Sequence, residues 1–414
     1  MKVLQVVEPG VDGVFRHVEG LTRFLASRDI GVSLAYSDVR GSDGLRRLVA
    51  EVEAKGGKTL NLAVGSRPSL KDLTAALELH RLIVQEKPDV LHAHSSKAGG
   101  LLRLPFVARR ALPVFYTPHA YYGMARRSGA GPWLFDRIES VLGRRGTTIN
   151  ISRDEAQFAR SQLGVPEARQ RVIHNPVRTD LFRPPTAAEK RAAREAFGVP
   201  ADATVIGTVG RMTFQKDPET LYRAIAPLLR RRPELMLMHL GEGELMDGLK
   251  SLCAGLIIDR QVRFCGYAEN PLGFYHALDA LAMTSRYEAG WPIVTLEALA
   301  CDLPVVSSRA PGTADIDKAG LSHCWSADAG DVAGFEAALS ALLEDRRLAR
   351  PSNHRELALS RFSPEACYGA VLSEYRAAAR PARAGVQRQP HGQESPHGAR
   401  SDTRNPAPRN MELD

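Results

Sequence analysis

The residues best suited to chemistry sit in one stretch, Ser285-Arg-Tyr-Glu-Ala-Gly-Trp-Pro-Ile-Val-Thr-Leu-Glu-Ala-Leu-Ala300. It sets two carboxylates, Glu288 and Glu297, around a turn that opens a helix. Gly290 lets the backbone approach a ligand closely, and Pro292 suits a first helical position. Free N–H groups at a helix start receive an anion, while carboxylates accept hydrogen bonds from hydroxyls. Phosphate and sugar hydroxyls together describe a nucleotide sugar. The plainer alternative is a surface turn with two solvated glutamates.

Four other segments carry chemistry. Pro9-Gly-Val-Asp-Gly-Val-Phe-Arg-His-Val18 follows a first strand and enters a helix, so its glycines allow backbone contact with a ligand. It is not GxGxxG, which argues against a dinucleotide dehydrogenase. In His92-Ala-His-Ser-Ser-Lys-Ala-Gly99 the two histidines share a strand face. A metal pair there lacks a third ligand in sequence, so no metal is expected. Tyr116-Thr-Pro-His-Ala120 places His119 at a strand end, where an imidazole titrating near neutral pH orients or exchanges a proton with a hydroxyl. In Gly210-Arg-Met-Thr-Phe-Gln-Lys216, Arg211 suits bidentate diphosphate binding and Lys216 adds a mobile charge. Two fixed cations stabilise a departing dianion.

These segments need strands to hold them. Apolar runs at Val3–Val7, Val32–Tyr36, Thr59–Val64, Val90–His94, Val114–Thr117 and Thr147–Ile151 alternate with helical patterns at Phe15–Ala26, Asp43–Ala54, Leu70–Gln85, Ala98–Arg110 and Leu134–Gly143. A second series has strands near Val205–Val209, Leu235–Leu240, Val262–Gly266, Ala280–Thr284 and Pro304–Ser308. Such alternation predicts an α/β chain with two doubly wound, Rossmann-like parallel-sheet domains facing a cleft. The expected organisation is residues 1–175, a proline-rich linker at 176–185, a second domain at 186–363, a last helix at 364–379 that crosses back, and a disordered tail at 380–414.

A chain of 414 residues, 44% of them hydrophobic, is long enough for two cores. No run of about 18 apolar residues is present, and no signal-peptide pattern opens the chain. Five scattered cysteines without CxxC spacing suit a reducing cytoplasm. The net charge of +8 is uneven. Arg103, Arg109, Arg110, Arg126, Arg127, Arg137, Arg144 and Arg145 fall among apolar Leu101, Phe106 and Trp133. With no nucleic-acid-binding signature, this reads as a solvated basic face or a patch resting on anionic phospholipid.

Taken in order, the segments resemble the motifs of retaining glycosyltransferases of family 4: the glycine loop ending in Arg16-His17, His94-Ser-Ser-Lys-Ala-Gly99, Thr117-Pro-His119, Gly210-Arg211 with Lys216, Val262-Arg-Phe-Cys-Gly266, and Glu288 with Glu297. The resemblance covers residues 1–379. It implies the GT-B fold, a UDP- or GDP-linked sugar held by the second domain, and a lipid-linked or glycan acceptor held by the first. It further implies envelope or exopolysaccharide assembly, with no cofactor. By matching position, Arg211 and Lys216 contact the diphosphate, Glu288 the sugar hydroxyls and Glu297 the ribose. Gly13, His17, Gly266, Ala289, Gly290, Ile293 and Val294 also line the donor, and His119 lies beside the transferring sugar. His94, Ser95 and Lys97 fall on the acceptor side. Retention is expected by front-face attack, without a protein nucleophile.

One departure stands out. Eight residues separate Glu288 from Glu297, and the family's usual seven would fall on Ala289. A bulge at Ala289–Trp291 is expected to absorb the extra residue. Asp315-Ile-Asp317 is formally a DxD, here read as no metal site. Two readings compete with transfer: a nucleotide-sugar 2-epimerase on the same fold, and a non-catalytic nucleotide-sugar-binding protein.

Overall fold

Near-continuous apolar runs make the central strands, as buried parallel sheets require. The computed structural model describes residues 1–108, 111–125, 130–314, 316–345 and 352–379. Strands β1 (Lys2–Val7), β2 (Gly31–Tyr36), β3 (Thr59–Asn61), β4 (Val90–His94), β5 (Val114–Thr117), β6 (Thr147–Asn150) and β7 (Gln170–Val172) form a parallel sheet in the order β3-β2-β1-β4-β5-β6-β7. Between them run α1 (Asp12–Ala26), α2 (Asp43–Ala54), α3 (Lys71–Glu86), α4 (Ser96–Leu102), α5 (Ala130–Leu142) and α6 (Arg153–Ser161). After α7 (Ala187–Ala196), a second parallel sheet is built from β8 (Thr204–Val209), β9 (Leu235–Leu240), β10 (Val262–Phe264), β11 (Ala280–Met283), β12 (Val305–Arg309) and β13 (Cys324–Asp328). Its order is β10-β9-β8-β11-β12-β13. Helices α8 (Pro218–Arg231), α9 (Met246–Leu256), α10 (Leu272–Ala277), α11 (Ile293–Ala300), α12 (Val332–Glu344) and α13 (His354–Phe362) pack around it, and α14 (Pro364–Ala379) ends the described chain.

Both sheets reverse direction of winding next to their first strand, between β1 and β4 and between β8 and β11. Loops at the carboxyl ends of these strand pairs border the crevice where doubly wound sheets bind ligands. They are the segments beginning at Glu8, Ser95, Gly210 and Thr284. Helix α14 does not stay with the sheet that precedes it. Its Tyr368, Val371, Leu372 and Tyr375 share a core with Leu21 and Phe24 of α1 and with Val3, Val90 and Phe115 of the first sheet.

Several expectations change. The third strand stops at Asn61 rather than Val64, because Ala63 turns to φ 49° and Ser37 Oγ caps the Val64 carbonyl. The helix expected over 98–110 ends at Leu102, two residues before Leu104, whose helical conformation Pro105 disfavours. Pro292 is the cap, with extended ψ of 138°, and the helix begins at Ile293. The edge strands β7 and β13 were absent from the expectation, since Gln170–Val172 and Cys324–Asp328 are too polar to form apolar runs. The tail at 380–414 and Asp315 of the DxD lie outside the described residues, as does the side chain of Asp317.

Candidate active site

The first sheet gathers four histidines that are far apart in sequence. His92 and His94 point to one face of β4, and their rings lie 4.0 Å apart. His17, from the first turns of α1, lies 5.4 Å from His94 and 4.7 Å from His119. His17 Nδ1 bonds Asn175 Oδ1 at 2.9 Å. The amide oxygen only accepts, so the proton sits on Nδ1 and Nε2 presents a lone pair. That Nε2, like His94 Nε2, is buried without a partner. His94 Nδ1 meets His119 Nε2 at 3.3 Å, and His92 bonds Thr117 Oγ1 at 2.9 Å.

Burial lowers His17 to about 4, opposed by the Asn175 bond. Burial first, then neighbouring imidazoles, puts His92, His94 and His119 well below the usual histidine range. His119 is therefore a neutral imidazole at pH 7, not a group poised to titrate there. The missing third ligand is corrected too: ring nitrogens of His17, His94 and His119 lie within 4.8 Å of one another. His119 has φ 54° and Ala120 φ 103°, left-handed values that cost a non-glycine residue about 1–3 kcal/mol each.

Other first-sheet candidates have definite partners. Ser95 follows β4 with φ 81°, and its buried Oγ is unpartnered. Lys97 is engaged, pairing with Asp72 at 2.6 Å and donating to the Arg67 carbonyl at 2.8 Å. Arg103 is no part of a basic surface. It is buried, stacks on Tyr116 at 3.8 Å, and pairs with Glu139 at 2.7 Å. A buried Arg–carboxylate pair satisfies itself and leaves nothing for lipid. Arg109, Arg110, Arg126 and Arg127 lie outside the described residues.

In the second sheet, Gly210 ends β8 at φ 157°, and the Gly241 Cα lies against its carbonyl so closely that a Cβ there would be 2.0 Å away. Lys216 runs along Gly210, whose Cβ would meet its Cδ at 3.7 Å, and its ammonium pairs with Glu288 Oε1. Arg211 is exposed and makes no ion pair among the described residues. Gly266, at φ 65°, follows β10 by two residues and accepts through its carbonyl from Gly241 N–H at 2.7 Å.

Glu297, 2% exposed, accepts from Tyr275 Oη at 2.7 Å. The same hydroxyl lies 3.2 Å from the Val294 carbonyl. Arg16 reaches Glu297 from the first sheet's α1 at 3.3 Å. Burial raises Glu297 to about 7, against the pull of Arg16 and Tyr275.

The two halves meet at these loops. A Cβ on Gly13 would lie 3.9 Å from Ile293 Cδ1, so the glycine loop faces the start of α11. Ser152 Oγ donates to the Ala289 carbonyl at 2.6 Å, and Gly290 packs where a Cβ would sit 3.0 Å from the Ile151 carbonyl. Sequence spacing missed Tyr275, Asn175 and Glu155, and the tie of Arg16 to Glu297. Tyr275, Asn175 and Arg16 meet their partners only through the fold; Glu155 has a local signal, the Ser152-Arg-Asp-Glu155 helix-start pattern, but its bond to Ala120 N–H comes only with the fold.

Known proteins match along most of the chain. Residues 11–181 match the family model described as Glycosyltransferase Family 4, and residues 203–345 that described as Glycosyl transferases group 1. A D-inositol 3-phosphate glycosyltransferase of Geodermatophilus obscurus is 30% identical over 410 residues, covering 91% of this chain and 87% of the relative. One from Mycobacterium tuberculosis is 31% identical over 310 residues, covering 70% of this chain and 62% of the relative. Among solved structures, a Rickettsia africae glycosyltransferase has TM-score 0.76 at 18% identity, over 92% of this chain and 98% of that one. Anabaena HepE in complex with UDP has TM-score 0.75 at 21% identity, over 91% and 100%. The structural likenesses speak to the fold, and the sequence relatives to the family: the chain belongs to glycosyltransferase family 4 and is a glycosyltransferase of the GT-B fold.

Proposed function

We propose that this enzyme moves a sugar from a nucleotide-diphosphate donor to a lipid-linked or glycan acceptor, with retention of configuration, in cell-envelope or exopolysaccharide assembly on the cytoplasmic side. The observation that carries the reading is the meeting of three switch-point loops: Lys216 pairs with Glu288, Ile293 at the start of α11 faces Gly13, and Arg16 reaches Glu297. In this reading residues 1–175 hold the acceptor and 186–363 the donor, joined by 176–185, with 364–379 returning to the first half. Arg211 and Lys216 neutralise the diphosphate in place of a metal ion. Glu288 accepts from sugar hydroxyls, and Glu297 from the ribose. Gly266, Ala289, Gly290, Ile293 and Val294 shape the donor pocket. His119, as a neutral imidazole, bonds a hydroxyl of the transferring sugar. The leaving phosphate takes the acceptor proton on the face it departs from.

Ser95, with its unpartnered hydroxyl, and His94 lie on the acceptor side, and Lys97 must exchange Asp72 for any acceptor anion. The UDP bound in Anabaena HepE supports UDP as the nucleotide here. The relatives' name supports a second acceptor reading, a phosphorylated polyol. The family match does not favour a 2-epimerase. No described helix is long and apolar enough to cross a membrane. Peripheral contact with anionic lipid is supported by α5, where Trp133, Ile138 and Val141 are exposed together with Arg137. The test is a thermal-shift panel of UDP- and GDP-sugars, followed by transfer assays with the stabilising donor. Stabilisation by one nucleotide series is expected, and no shift with any donor would refute the donor assignment.

A further inference from the structure

The first turn of α6 touches both halves of the site through three side chains. Glu155 is completely buried. Its Oε1 accepts Ala120 N–H at 2.8 Å and its Oε2 accepts Ile151 N–H at 2.6 Å. No cation pairs with it among the described residues, and burial pushes it up to about 8 against those two bonds. A carboxyl buried without a counter-charge is tolerated through neutralisation and the hydrogen bonds it makes. What this one holds is the left-handed pair His119–Ala120, at φ 54° and 103°, a conformation that persists in non-glycine residues only when surroundings impose it.

The same turn reaches the donor side. Ser152 Oγ donates to the carbonyl of Ala289, the residue after Glu288, at 2.6 Å. Asp154 Oδ2 accepts Gly312 N–H at 2.7 Å. Gly312 in turn lies against the Glu288 backbone, where a Cβ would fall 2.2 Å from the Glu288 carbonyl oxygen.

We propose that Ser152, Asp154 and Glu155 are positioning residues that set His119 against Glu288, with Glu155 acting on the histidine loop and the other two on the donor loop. This rests on the reading above that His119 and Glu288 flank the transferred sugar. A displacement of about 1 Å in such a pair lowers turnover by about 100-fold. Glu155→Gln keeps the shape but turns one acceptor into a donor that faces an N–H.

The test is steady-state transfer kinetics, donor affinity and side-chain histidine NMR on the full chain. Glu155→Gln is expected to lower kcat by about 100-fold with donor Kd within twofold of wild type. Ala120→Gly added to it is expected to return at least about tenfold, because glycine takes φ 103° freely. The His119 ring resonances should move while those of His239, on the second sheet, stay. Asp154→Ala, a half-buried site that tolerates change if Glu155→Gln does not fold, should raise donor KM about tenfold. Wild-type kcat in Glu155→Gln, loss of donor affinity equal to the loss of kcat, or unaltered KM in Asp154→Ala would overturn the proposal. Should no donor be turned over by wild type, the functional reading fails, and the His119 resonances alone decide the positioning role.

Discussion

Replacing Arg16 by glutamine should make donor binding depend on pH in a new range. Glu297 is buried and stands at about 7, with burial raising it and Arg16 and Tyr275 pulling it down. The Arg16 guanidinium is 3.3 Å away but 40% exposed, so solvent screens it. Its removal is worth the low end of a charge-neighbour effect, about one pH unit or ~1.4 kcal/mol. In wild type the carboxyl is then half ionised at pH 7. In Arg16→Gln, with a value near ~8, about a tenth is ionised. Ribose hydroxyls bond better to a carboxylate than to a carboxylic acid. Donor affinity at pH 7 should fall about fivefold and recover at pH 9. Wild type should itself lose affinity as pH falls below 7. Isothermal titration with the stabilising UDP- or GDP-sugar from pH 6 to 9 reads this. A loss of equal size at every pH would refute the reasoning and make Arg16 a direct donor contact instead.

Glu288→Ala should lower kcat by about 100- to 1000-fold with the melting temperature little changed, and near-normal turnover would remove Glu288 from the sugar site. Acid should destabilise the fold through its buried histidines. Their folded values lie below the unfolded 6.5, so the stability they give is present above 6.5 and lost as pH falls; for His17, down to about 4, this amounts to ~3 kcal/mol. His94→Gln should flatten the acid limb of urea-melt stability by up to ~1.4 kcal/mol per pH unit below pH 6, and an unchanged limb would contradict the buried neutral state. EDTA should leave transfer intact, whereas activity lost and restored by magnesium or manganese would transfer the role of Arg211 and Lys216 to an ion. Binding to anionic vesicles should weaken with salt and in Trp133→Ser, and salt-insensitive, vesicle-free behaviour would remove the lipid contact.

The local chain carried much of this. Apolar runs ending at His94, Thr117, Val209 and Thr284 already marked parallel strands, the last of which stops at Met283 in the fold, because buried strands need side chains that suit both faces. Gly210 and Gly266 stood in the motifs that carry the family resemblance, and the fold gives both a positive φ; the types and order of Glu288, Glu297, Arg211 and Lys216 led to the expected donor contacts. The local reading went wrong where a neighbour remote in sequence decided the outcome. Arg103 looked like a surface cation until Glu139, 36 residues on, enclosed it. His94 looked short of a partner until α1 delivered His17 and the next strand His119. Glu155 was not singled out in the sequence, and only the fold brings it to Ala120.

Composition and order alone therefore determined the two-sheet architecture and which loops lie at the carboxyl ends of its strands, because strand burial and loop position follow from short-range pattern. Tertiary structure alone decided protonation and pairing: which imidazoles are neutral, which carboxylate Arg16 bridges across 281 residues, and which turn locks Ala120. Those properties depend on burial and on distances of a few ångströms between remote segments, and no spacing along the chain encodes either.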